Sequence, residues 1–154
     1  MYKLTDSFPY LLNRVGVRMG ELFARRIQDY DITVPMYRVL SALCETRDQR
    51  LNDLAEMTTI EISTLSRLIG TLDARGLVSR SRLKNNARTV AINLTNEGES
   101  LIGELMPIAK HFEDVTIAQL SAKDRRLIKR ALIDVYERLD EIEEEVTAGT
   151  VPDA

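Results

Sequence analysis

The sequence predicts a mainly α fold carrying one small β-hairpin, and three observations carry that expectation. Apolar residues recur at helical spacing through four segments before residue 76. Between residues 78 and 94 the period falls to two: Val90, Ile92 and Leu94 alternate with Thr89, Ala91 and Asn93. After Thr95 the helical rhythm returns and holds almost to residue 147.

The elements follow in chain order. Phe8, Leu11, Leu12, Val15, Met19, Leu22, Phe23 and Ile27 keep an i, i+3, i+4, i+7 rhythm and predict a first helix over residues 6–29. Asp31-Ile-Thr-Val-Pro35 breaks it; Thr33 can cap a second helix and Pro35 fits a first turn. Met36, Val39, Leu40, Leu43 and Cys44 give that helix an inward face. After a polar connection at residues 47–50, a short third helix covers 51–57 with Asn52 or Asp53 near its start. A Thr58-Thr59 turn leads to a fourth helix over 61–75, closed by Gly76. The hairpin turns at Lys84-Asn85-Asn86-Ala87-Arg88, where Asn suits positive φ. Thr95 caps a fifth helix over 96–119, which Pro107 should bend unless the lost backbone bond is made good locally. Ser121-Ala-Lys-Asp124 resembles a capping box. In the sixth helix Ile128, Leu132, Val135, Leu139, Ile142 and Val146 form a seam of two apolar residues per heptad.

Composition sets the outer limits. A chain of 154 residues, 44% apolar, makes one domain, or a domain with an oligomerisation element. No apolar run reaches the ~18 residues of a membrane span, and MYKLTDSFPY lacks a basic flank followed by an apolar core, so a soluble cytoplasmic protein without a membrane partner is expected. Cys44 stands alone, which excludes an intrachain disulfide. His111 has no Cys or carboxylate at ligand spacing, and no phosphate loop or nucleophile elbow appears, so neither metal, cofactor nor catalysis is expected.

The net charge of −3 hides a segregated field. Residues 1–36 carry +1, residues 37–96 carry +3, and residues 97–154 carry −7. Within 61–90 six basic side chains face two acidic ones, so a polyanion can still be bound there.

Two short helices followed by a basic hairpin is the order of a winged helix-turn-helix, which offers one helix to a major groove and one loop to a minor groove. On the fourth helix Ile62, Leu65, Leu68, Ile69 and Leu72 form the inward stripe, leaving Ser63, Thr64, Ser66, Arg67, Gly70 and Thr71 for duplex DNA. Arginine can chelate guanine, short hydroxyls can meet bases or phosphates, and Gly70 would permit close approach. A merely solvated face would favour Lys and Glu instead. On the hairpin Arg82, Lys84 and Arg88 supply charge for the minor groove. The predicted lobe is 36–95; the helices of 6–30 and 96–147 have apolar stripes it cannot cover, and pairing two copies would bury them and space two recognition helices for a palindromic operator.

The chain resembles the MarR family of bacterial regulators over nearly its whole length. Ser63, Thr64, Ser66 and Arg67 match the family's recognition helix, Gly76-Leu77-Val78 its wing entry, Arg88 its wing arginine, and Leu94-Thr95 with Gly98 its next helix start; Ala55 and Leu65 also fit. Thr59 stands where a turn Gly is common, and Asn86 replaces the wing Asp, so Arg88 lacks that ionic brace. The resemblance implies a homodimeric repressor released by a small anionic effector, an aromatic or phenolic acid or an acyl thioester. It implies a pocket bordered by Tyr10, Arg14, Arg18, Met36, Tyr37 and Leu40. The arginines could equally pair with acidic residues of a partner subunit. Two alternatives stand beside this: a redox-responsive repressor using Cys44, weighed against a plain buried thiol, and a helical protein-interaction module.

Overall fold

The computed structural model describes residues 2–83 and 86–149. Its elements are α1 (Phe8–Ile27), α2 (Val34–Glu45), α3 (Leu51–Thr58), α4 (Ile62–Ala74), β1 (Val78–Leu83), β2 (Asn86–Leu94), α5 (Asn96–Thr116), α6 (Ala122–Glu137) and α7 (Leu139–Ala148). Single 3-10 turns at Leu4–Asp6 and Gln28–Tyr30 replace the ends of the longer first helix expected from periodicity. The chain divides into two compact units, one up to Phe112 and one from Glu113.

Short polar side chains start several helices. The Thr33 hydroxyl accepts from the Met36 N–H at 3.4 Å, Thr95 accepts from Gly98 at 3.1 Å, and Ser121 accepts from Asp124 at 3.2 Å. In α3, Asn52 and Asp53 lie in the first turn, near the helix start as expected, and Arg50 is the capping residue with no side-chain bond. There Asp53 still places negative charge at the positive end of the helix.

The first unit has one core. Ile27, Leu40, Leu54, Leu65, Leu72 and Leu105 are all fully buried in it, so α1, α2, α3, α4 and α5 each contribute. The residues of α1 buried in that unit are Phe23 and Ile27, near its C-terminal end, whereas Leu11, Leu12 and Val15 stay exposed. The hairpin pairs Val78 with Leu94, Arg80 with Ile92 and Arg82 with Val90. Its open edge is met by the connection after α2, where Ile92 N–H donates to the Gln49 carbonyl at 2.8 Å. Gln49 is buried, and its amide donates to the Ala42 and Thr46 carbonyls at 2.9 and 3.2 Å, satisfying the C-terminal end of α2. The segment read as a polar connection is therefore a structural brace.

Gly98 fixes how α5 leaves the hairpin. A Cβ there would stand 2.0 Å from the Leu77 carbonyl oxygen, and that same oxygen accepts the Thr95 N–H at 3.1 Å. Only glycine fits. Past it, Ile102 and Leu105 are buried, and the helix runs continuously through Pro107.

In the second unit the single sixth helix expected from the seam is two helices. Arg138 intervenes, and an i+3 bond from the Glu141 N–H to its carbonyl at 3.3 Å tightens the turn. Neither α6 nor α7 buries a residue: Ile128, Leu132, Leu139, Ile142 and Val146 are all exposed, and Val135 is half-buried.

Candidate nucleic-acid interface

Helix α4 is held at its start by Glu61. The Glu61 carboxylate accepts the Ser63 N–H at 2.9 Å and the Thr64 N–H at 3.0 Å, and it also takes the Ser63 hydroxyl. The Ser63 hydroxyl first, then the two backbone donors, lower its pKa to about 2. Two first-turn donors that could cradle a phosphate are thus already occupied.

Leu65, Ile69 and Leu72 point into the core and Leu68 is half-buried, as the helical stripe requires; Ile62 departs from it and is exposed. Ser63, Thr64, Ser66, Arg67 and Thr71 are exposed. The Thr71 hydroxyl donates to the Arg67 carbonyl at 3.1 Å, one turn back along the helix.

Gly70 has a different setting from the open face expected of it. It is half-buried, and a Cβ there would lie 3.8 Å from the Nη2 of Arg80, so it borders β1. That arginine, Arg80, is one of the six basic residues of 61–90. Its Nε lies 3.3 Å from Asp73 Oδ2, with both side chains a little over two-fifths exposed. The signal was present: Arg80 shares strand parity with Arg82 and Val78, and Gly70 and Asp73 are one helical turn apart. Arg82 is exposed on β1. Lys84, and the side chains of Asn86 and Arg88, lie outside the described residues.

The residues read as an effector pocket differ in exposure. Arg14 and Arg18 are exposed on α1, and Tyr10 and Met36 are half-buried. Tyr37 stacks edge-on against Phe23 with ring centroids 4.8 Å apart, and it borders a cleft of about 310 Å³ with Arg38, Ser41 and Met57. Leu40 is fully buried in the core, where the inward stripe of α2 places it. Cys44 also departs from the buried position expected on that stripe. It is exposed at the last turn of α2 and borders a cleft of about 520 Å³ with Arg47, Asp48, Asn93 and Glu99. Arg47 is tied to Glu99 at 3.0 Å, and Asp48 and Asn93 exchange two bonds of 2.8 Å. Among the described residues no group of acidic, Cys and His side chains could hold a metal ion, and no helix is long and apolar enough to cross a membrane.

Comparison with known proteins places this arrangement. The family model described as transcriptional regulator SarA/Rot matches residues 21–105, more than half of the chain. The HTH-type transcriptional repressor NicR of Pseudomonas putida is 25% identical over 124 residues, covering 80% of this chain and 78% of its own length. The organic hydroperoxide resistance transcriptional regulator of Bacillus subtilis is 25% identical over 137 residues, covering 89% and 92%. The solved structure of Bordetella bronchiseptica BpsR, whose DNA binding is regulated by 6-hydroxynicotinic acid, superposes with a TM-score of 0.79 at 28% identity over 88% of this chain and 97% of that one. The chain belongs to the SarA/Rot family of transcriptional regulators, MarR-type winged helix-turn-helix proteins that act on duplex DNA.

Proposed function

We propose that the protein is a homodimeric repressor of a palindromic operator, released by a small aromatic carboxylate. The observation that carries the reading is the exposed row of Ser63, Thr64, Arg67 and Thr71 on α4 beside the Arg82 strand. Arg67 reads a base in the major groove, the short hydroxyls meet bases or phosphates, and Arg82, Lys84 and Arg88 serve the adjacent minor groove. Ser63 contributes through its lone pairs, because its hydroxyl already donates to Glu61. On this reading the protein acts in the cytoplasm, by binding rather than by catalysis.

Dimerisation covers the bare faces of α1, α6 and α7. The effector class is supported by BpsR and its 6-hydroxynicotinic acid, and by two arginines one turn apart on α1 that suit a carboxylate.

The test is Arg67→Ala against duplexes selected from a random pool and against scrambled controls. The expected result is a loss of about 1–3 kcal/mol per subunit on the selected site with discrimination reduced. Equal weakening on both duplexes means that Arg67 meets phosphate only. Adding 6-hydroxynicotinate to the wild-type complex should raise the apparent Kd, and Arg14→Ala should blunt that response.

A second reading is favoured by the exposure of Cys44 beside Arg47. A thiol there would be open to peroxide. Loss of operator binding on peroxide treatment in wild type but not in Cys44→Ser would select this reading.

A further inference from the structure

We propose that Arg80 grips the sugar-phosphate backbone that divides the two grooves, and that Asp73 positions it there. The inference rests on the reading of α4 and the hairpin as the DNA interface. If a helix enters one groove and the hairpin tip the next, the strand between those grooves must pass the crevice between helix and hairpin. That crevice exists: a cleft of about 180 Å³ is lined by Ser66 and Ile69 of α4, Arg80 and Val90 of the hairpin, and Leu51 and Ile92. Arg80 is its cation.

The side chain is set for the task. Asp73 engages Nε at 3.3 Å, and the Nη2 lies alongside Gly70, 3.8 Å from where a Cβ would stand. The Arg80 side chain remains a little over two-fifths exposed, and the guanidinium is a planar fork that fits a phosphate. Phosphate contacts position a protein without reading sequence, so Arg80 should contribute equally on any duplex.

The experiment measures binding of the full-length protein to a selected and a scrambled duplex across a salt series, for wild type, Arg80→Ala, Arg80→Lys, Asp73→Asn and the Asp73→Asn/Arg80→Ala pair. Arg80→Ala should weaken both duplexes by about tenfold or more, as for a lost charge-assisted bond, and lower the log–log salt slope by about 0.9 per phosphate released. Arg80→Lys should restore the slope but not the full affinity, because a point charge lacks the fork. Arg80→Ala should cost several-fold less when Asp73→Asn is already present. Equal cost in both backgrounds removes Asp73 from the proposal. An unchanged slope in Arg80→Ala, or a loss confined to the selected duplex, overturns the backbone contact, and the folding of Arg80→Lys guards against a mere stability effect. If wild type shows no salt-dependent binding to either duplex, the underlying interface reading fails instead.

Discussion

The winged lobe and the C-terminal helices are built from the same kind of amphipathic sequence, yet one buries its stripe and the other does not. In the lobe Leu54, Leu65, Ile69 and Leu72 are at or near zero exposure. In α6 and α7 the seam residues Ile128, Leu132, Leu139 and Ile142 are each two-fifths exposed or more, and Val135 is half-buried. Heptad spacing thus specifies a face but not what covers it. The lobe closes on itself because a hairpin and five helices converge; two helices in series cannot, and their stripe is legible only as a demand for a partner.

The strongest way to break that contrast is Ile128→Asp with Leu132→Asp. Each side chain stands to gain about 2 kcal/mol by burial, counted twice across a twofold interface. The dimer should vanish at micromolar concentration by light scattering, with operator affinity falling by orders of magnitude. The lobe should keep its cooperative melt. If dimer and affinity survive, the C-terminal seam is not the interface.

Gly98→Ala probes the opposite side, where the lobe tolerates nothing added. Its Cβ would meet the backbone of Leu77 rather than a side chain that could swing away. We expect a loss of about 3 kcal/mol in urea denaturation, the scale of a severe overpacking, with dimerisation of the remaining folded protein unchanged. A loss below the ~0.5 kcal/mol of an ordinary surface change would mean that α5 shifts freely at its start.

Thr59 offers a gain within the same lobe. It ends α3 at φ 54°, a left-handed conformation that costs a β-branched residue about 1–2 kcal/mol. Thr59→Gly should stabilise by about 0.5–1 kcal/mol once glycine's greater backbone entropy is subtracted. Destabilisation would show that the Thr59 hydroxyl, donating to the Thr58 carbonyl at 2.7 Å, outweighs the strain.

What the sequence disclosed was local, and what it hid was not. The order of helices and hairpin, the outward row on α4 and the caps at Thr33, Thr95 and Ser121 all depend on residues within a few positions of one another. Gln49 against Ile92, and Asp48 against Asn93, join segments more than forty residues apart, so a brace looked like a loop. Cys44 continued an apolar stripe by spacing, but the last turn of α2 outruns the core and leaves it exposed. Arg80 looked like one of six basic residues until Asp73 and Gly70 were seen beside it. The break at Arg138 has no Pro or Gly to announce it.

The smallest expected effect sharpens the contrast at the start of α4, where stability depends on a charge rather than on packing. The exposed Glu61 carboxylate is held by the Ser63 hydroxyl and the Ser63 and Thr64 N–H groups, which lower its pKa from 4.5 to about 2. A depressed folded-state pKa means that folding favours the ionised form. The stabilisation is therefore complete above about pH 4.5 and is lost as pH falls toward 2. Glu61→Gln keeps the size and an accepting oxygen but not the charge that favours a helix N-terminus. Wild type should be modestly the more stable at neutral pH, and the difference should shrink steadily below pH 4.5 in paired urea titrations. A gap that stays constant down to pH 2.5 would show that the cap works through shape alone.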